Sequence, residues 1–454
     1  MLTINVSQSI ILVDRGDLME KENGVLKEVN NKDIKTLLKH PDKFWKGVTS
    51  IGARSFRECS NLSIVTVPDT ITNVAQYSFA HSQITHLYFE NSNVKFDRGC
   101  FSYMDELRAI HIPECTKEIP PKTFSFCSKL ENINIPDNLE KIGLHAFLGC
   151  DSITELNIPD TVTAIDREAF ANCRRLNRIR LSENVLSLSV GLFERCSSLE
   201  KIQLSKNLVS IAQSVFLNCS NLTDVVLPET LCHIGQKAFY GCENIKKLSI
   251  PANVEYIGPY AFSWCQGLES IDLPCEYLLE ILPNTFDQCK SLTKLIIPNN
   301  VKKIGRFAFS SCSNLKKIKL PEGLEEIEDG AFYNCESLEV LPLPRSVKKI
   351  GEYTFMHTEF RYLNRLKNGT NVLTKYQIEE DECISVDLSQ MSKIFPKHQL
   401  IDIINLDNDN MKKYEKIINY CSDNDITISD ITVDKLLVED LNKYFELHNK
   451  RKKV

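Results

Sequence analysis

The chain has 454 residues, 43% of them hydrophobic, and a net charge of −6. That apolar share is ordinary for soluble domains, and an acidic balance lacks the basic footprint of a general nucleic-acid binder. No run of about 18 apolar residues occurs, so no membrane-spanning helix is expected.

The start, MLTINVSQSIILVDRGD, has no basic segment and only a short apolar run. No signal peptide is expected from it, which favours a cytoplasmic protein. Residues 1–45 are expected to form an N-terminal cap, with a short helix at Asp33–His40 ended by Pro41.

From residue 46 to 357 the chain is periodic. Phe124, Phe147, Phe170, Phe193, Phe216, Phe239 and Phe262 follow one another every 23 residues. Phe56, Phe79 and Phe101 extend the series backward, and Phe286, Phe309, Phe332 and Phe355 extend it forward. Such a period marks stacked repeats rather than a closed globule.

The copy FSFCSKLENINIPDNLEKIGLHAF shows the logic. Ile133 and Ile135 are two residues apart, the period that places both on one face of a strand. Pro136 then ends that strand, having no N–H for a ladder. Leu139–Ile142 makes a second short extended piece, and Gly143 permits a tight turn. Ala146 and Phe147 open a compact turn carrying the core plug. One coil has an apolar flank that it cannot cover alone, so coils stack and pair their strands in parallel. The expected fold is a β-rich solenoid: a rod of about fourteen 23-residue coils with parallel β-sheet. No helical pattern fits inside the period, so turns or short strands should form its outer side.

Two steps depart from the period. Phe79 to Phe101 is 22 residues and Phe262 to Phe286 is 24, the latter with an insertion around Cys275–Leu279. These are loop drift or contact sites. Ser182 and Ser205 replace the strand-ending proline in two successive copies, which should lengthen those strands.

Seventeen cysteines are present. Eleven lie three residues after a repeat phenylalanine: Cys59, Cys127, Cys150, Cys173, Cys196, Cys219, Cys242, Cys265, Cys289, Cys312 and Cys335. A fixed repeat position is a packing position, and free cysteine behaves as a small buried hydrophobe. A column of reduced thiols is expected. No C-x2-C pair suggests zinc.

Residues 358–454 lose the repeat and are expected to form a small, mainly α-helical region, a C-terminal cap or domain. Asp409–Cys421 and Val433–Leu447 have amphipathic helical spacing.

No phosphate-binding loop, nucleophile elbow or zinc-protease motif occurs, so no catalytic residue, cofactor or metal site is expected. The residues flanking the central strand hydrophobe of each coil should point outward. That strip includes His86 and Tyr88, His111, Arg178 and Arg180, Lys201, Lys294, and Lys317 and Lys319. The two basic clusters are either solvated or matched by a partner's acidic segment, because stacked like charges repel.

The copies CSKLENINIPDNLEKIGLHAF, CENIKKLSIPANVEYIGPYAF and CSNLKKIKLPEGLEEIEDGAF resemble the BspA-like, or Treponema pallidum-type, leucine-rich repeat family. The resemblance covers about residues 46–357. It implies a leucine-rich repeat solenoid used in protein binding or adhesion, with no catalytic residues. Relatives occur in gut and oral bacteria and in parasitic protists. The expected function is a non-enzymatic protein–protein interaction scaffold using its concave strand face. The alternative is a surface or secreted adhesin of a microbe or parasitic protist.

Overall fold

The computed structural model describes residues 4–5, 21–338, 341 and 343–358. The helices expected at Asp409–Cys421 and Val433–Leu447 lie outside these residues. The chain divides into two units, Met1–Leu278 and Leu279–Val454. The division falls inside the insertion of the 24-residue step, where Tyr277 and Leu279 expose apolar side chains.

Both units are parallel-strand β-solenoids, with about fourteen turns in all. Most described coils contribute two short strands, and the parallel partner of a strand residue lies one repeat away. Arg178 pairs with Lys201 and Ile179 with Ile202 in the first ladder. Ser210 pairs with His233 in the second. Equal spacing in sequence therefore becomes vertical stacking of equivalent side chains, and a one-residue slip would turn every hydrophobe outward.

The ladders have breaks. In the first unit the first-strand ladder forms three sheets, beginning at Ile64–Val67, Glu155–Asn157 and Lys247–Ser249. Only an isolated bridge, Lys201 to Asp224, extends the middle sheet.

The core is a stack of phenylalanines. All fourteen repeat rings are buried. From Phe101 to Phe262 successive rings stack at 5.1–5.7 Å. In the second unit the rings from Phe286 to Phe355 stack at 5.3–5.8 Å.

The wall behind the rings is built of turns, as the absence of a helical pattern predicts. Alternate N–H groups reach the next coil: Lys122 to Leu144 O, Phe124 to Ala146 O, and Phe126 to Leu148 O. The intervening N–H groups close turns within the coil, such as Cys127 to Phe124 O. The wall requires two left-handed residues per coil, two before and two after the phenylalanine. His145 (φ 54°) and Gly149 (φ 72°) fill these places around Phe147. Gly143 serves a different need, since it is not left-handed. A Cβ there would lie 2.7 Å from the Pro121 nitrogen of the preceding coil. This glycine permits close stacking rather than a special turn.

The cysteines form the expected buried column, with a bond pattern the sequence does not disclose. The Cys150 thiol donates to Phe124 O of the previous coil at 3.1 Å. The Cys196 and Cys219 thiols repeat this toward Phe170 and Phe193. Burial pushes the Cys127 and Cys265 thiols up to about 12. None of the fifteen described cysteines is in a disulfide.

Two expectations need correction. The serine-for-proline coils do not have longer strands: Arg178–Arg180 and Lys201–Gln203 span three residues, like Glu155–Asn157. The serine hydroxyl ends the strand by turning on its own backbone. Ser182 Oγ donates to Val162 O and accepts from Asn184 N–H, and Ser205 Oγ accepts from Asn207 N–H.

Near the N-terminus the expected helix exists at Asn31–Lys39, capped by Asn30 and Asp33 in a reciprocal box. Pro41 starts a second helix, Pro41–Trp45, rather than only ending the first. That helix sets Phe44 and Trp45 against Phe56, at 6.3 and 6.1 Å between centroids. The second-strand ladder also begins before residue 46, where Val25–Leu26 pairs in parallel with Ser50–Ile51.

Candidate functional site

The middle sheet of the first unit, strands Glu155–Asn157, Arg178–Arg180 and Lys201–Gln203, carries a groove of about 640 Å³. Its floor is the buried row Leu156, Ile179 and Ile202. Alternation sends the flanking residues of each strand outward, so the walls consist of two vertical columns. One column reads Glu155, Arg178, Lys201, Asp224. The other reads Asn157, Arg180, Gln203, Val226.

The two arginines differ. Arg180 is held inside the chain: its Nη2 bonds both carboxylate oxygens of Asp160, at 2.9 and 2.8 Å, and its Nη1 donates to Ile158 O. Asp160 also accepts from Glu183 N–H, and the Arg180 bonds lead in holding its carboxyl below the usual carboxylate range. Arg180 thus clamps the loop that leaves the neighbouring strand. Arg178 and Lys201 face solvent, and among the described residues neither has an ion-pair partner within 4.0 Å. Ladder pairing sets them side by side, a like-charge contact that destabilises a sheet. Glu155 and Asp224 adjoin them at either end of the column. Val226 is 77% exposed at the edge of the groove.

The other expected residues lie elsewhere. Lys294, Lys317 and Lys319 occupy one outward face of the second unit, with Lys294 paired to Lys317 and Ile296 to Lys319. Ile296 is 66% exposed among them. His86 and Tyr88 share the strand His86–Phe89 and stack at 6.4 Å. His86 Nδ1 meets Thr85 Oγ1 at 2.9 Å, and His111 Nε2 lies 3.9 Å from Glu114. Among the described residues no group of three histidine, cysteine, aspartate or glutamate side chains is arranged to hold a metal ion. No described helix is long and apolar enough to cross a membrane.

Sequence reasoning brought Arg178, Arg180 and Lys201 together correctly as neighbours but did not see that Arg180 is tied. The available signal was Asp160, directly after the strand-ending Pro159 of the previous copy. It also passed over Glu155, Asp224 and Val226 as groove residues, although all three occupy outward strip positions.

The BspA type leucine-rich repeat region, a family of six copies, matches residues 41–154, 140–269, 232–361 and 325–446. The chain belongs to the BspA-type leucine-rich repeat family. BspA-type repeats of this kind form scaffolds, and the leucine-rich repeat is a general protein-interaction fold. A leucine-rich repeat protein from Bacteroides ovatus is 31% identical over 68% of this chain and 80% of its own, with a TM-score of 0.54. The Treponema pallidum leucine-rich repeat protein is 26% identical over 40% of this chain and 77% of its own, with a TM-score of 0.32. The pneumococcal vaccine antigen PcpA is 20% identical over 67% and 80%, with a TM-score of 0.38. A search of curated proteins returns no match.

Proposed function

We propose that this chain is a non-enzymatic interaction scaffold whose strand face binds an acidic segment of a partner protein. The observation that carries the reading is the stacked pair Arg178 and Lys201. These cations face outward over an apolar-floored groove without an ion-pair partner among the described residues. An acidic partner would relieve a repulsion the fold otherwise tolerates, and arginine is a frequent anchor of protein interfaces. Lys294, Lys317 and Lys319 form a second cationic face of the same kind in the second unit. His86 and Tyr88, on the first sheet of the first unit, and His111, just past the end of its strand Ala109–Ile110, provide an aromatic and histidine surface. Residues 1–45 act as the N-terminal cap through Phe44 and Trp45, residues 46–357 as the scaffold, and residues 358–454 as a C-terminal region.

The scaffold works in a reducing compartment, the cytoplasm. None of the fifteen described cysteines is in a disulfide, exposed Cys115 among them, and such thiols persist where glutathione keeps cysteines reduced. Thiol titration of chain isolated from its source without reductant and then unfolded, if it finds few free groups, would instead favour an adhesin at the cell surface.

The binding reading is tested by selecting random linear peptides on the immobilised full chain and on an R178E/K201E variant. The wild type should enrich sequences that carry a recurring pair of acidic residues, and the variant should lose them. Selection without such a pair, or selection unchanged by the double substitution, would refute it.

A further inference from the structure

The groove's charges have an order as well as a sign. Along the stack, the first column runs acidic, basic, basic, acidic: Glu155, Arg178, Lys201, Asp224. All four are exposed, and among the described residues none forms an ion pair. Their formal charges cancel. A uniformly acidic partner would therefore gain at the centre and lose at both ends.

The spacing of the column selects a conformation. Neighbouring strands stand about 4.8 Å apart, so the four charges fall at about 0, 4.8, 9.6 and 14.4 Å along the stack. An extended peptide lying along that axis repeats the same face every ~6.6 Å and loses phase after one coil. An α-helix rises about 1.5 Å per residue, so positions i, i+3, i+7 and i+10 fall at about 0, 4.5, 10.5 and 15 Å. Those positions form one continuous stripe on the helix. Helix and column therefore agree to within about 1 Å at every charge. Val226 supplies an exposed apolar edge beside the column, against which an apolar helix residue next to the stripe can pack.

We propose that the groove's occupant is a partner helix lying along the stacking axis, basic at i, acidic at i+3 and i+7, and basic at i+10. This rests on the acidic-segment reading above and adds to it a conformation and a charge order. The helix crosses the strands rather than adding to them, which fits a face whose backbone groups already pair between coils.

The test uses three labelled peptides and the full-length chain. One is an alanine-rich helix of about 18 residues, long enough to hold helical structure, with Lys, Glu, Glu, Lys at the four positions. The second exchanges every Lys and Glu, with composition otherwise equal. The third is a proline-containing acidic peptide that remains extended. All four charges attract in the first helix and repel in the second, so the first should bind about tenfold more tightly than the second, by fluorescence anisotropy. The variant E155K/R178E/K201E/D224K, with its circular dichroism unchanged, should reverse that preference. If the variant is misfolded, R178E/K201E alone should abolish the preference.

Equal binding of the two helices, or tighter binding of the extended peptide, overturns the helix while R178E/K201E sensitivity preserves the acidic-segment reading. Failure of all three peptides to bind, or binding indifferent to R178E/K201E, overturns both.

Discussion

Phe216→Ala tests the physical core of the solenoid. The ring is fully buried, with Phe193 at 5.7 Å on one side and Phe239 at 5.1 Å on the other. Truncating a buried phenylalanine costs about 3–5 kcal/mol through lost transfer energy and the cavity left behind. Each stacked ring pair carries about 0.5–1.5 kcal/mol of that sum. Because both neighbours lose a partner, the cost should lie in the upper half of the range. Phe216→Leu keeps most of the apolar volume and gives up the two ring contacts, so about 1–2 kcal/mol is expected. Guanidinium unfolding followed by circular dichroism measures both. A cost below about 1 kcal/mol for Phe216→Ala would show that the ring does not plug the coil. A leucine variant as damaged as the alanine one would refute the division between volume and stacking.

Other outcomes follow from the same geometry. Gly143→Ala should destabilise by about 1–3 kcal/mol, because its Cβ would meet the Pro121 nitrogen at 2.7 Å; an unchanged melting temperature would contradict the close-stacking role. Cys196→Ala should cost about 1–2 kcal/mol, since it removes the thiol that bonds Phe170 O; a stabilised variant in chemical denaturation would contradict it. The chain should also be sensitive to alkali. Burial raises the Cys59 and Cys275 thiols to about 11 and those of Cys127 and Cys265 to about 12. An unfolded thiol titrates near 8.5. Their contribution is therefore whole below about pH 8.5 and falls by about 1.4 kcal/mol per pH unit per thiol up to the folded value. Denaturant midpoints measured from pH 8 to pH 11 should decline, and a flat profile would exclude thiols buried as neutral donors.

The regular parts of this molecule were legible because repetition converts sequence spacing into stacking. Phe216 occurs 23 residues from two identical neighbours, and only one arrangement buries all three. The turn wall was legible in outline for the same reason, since no helical spacing fits the period. What eluded the sequence lies between coils at atomic range. The glycine at 143 looks like a turn residue, yet the left-handed positions are held by His145 and Gly149. Ser182 looks like a lost strand terminator, yet its hydroxyl performs the termination that proline performs by lacking a donor. Arg180 and Arg178 look alike two residues apart, and only the position of Asp160 across the coil separates a clamp from a free cation. Alternation predicts which way a side chain points, but its partner depends on a loop whose path the pattern leaves open.

A photocrosslinking amino acid placed at Gln203, on the wall of the groove, tests the central claim most directly. Arg195, exposed on the turn wall, serves as the control position. In cells that natively make the chain, ultraviolet light should join a partner protein to the Gln203 position and not to the Arg195 position, and R178E/K201E should abolish the adduct. An adduct formed equally at both positions, or one at Gln203 that survives the double substitution, would contradict a strand face that binds through its stacked cations.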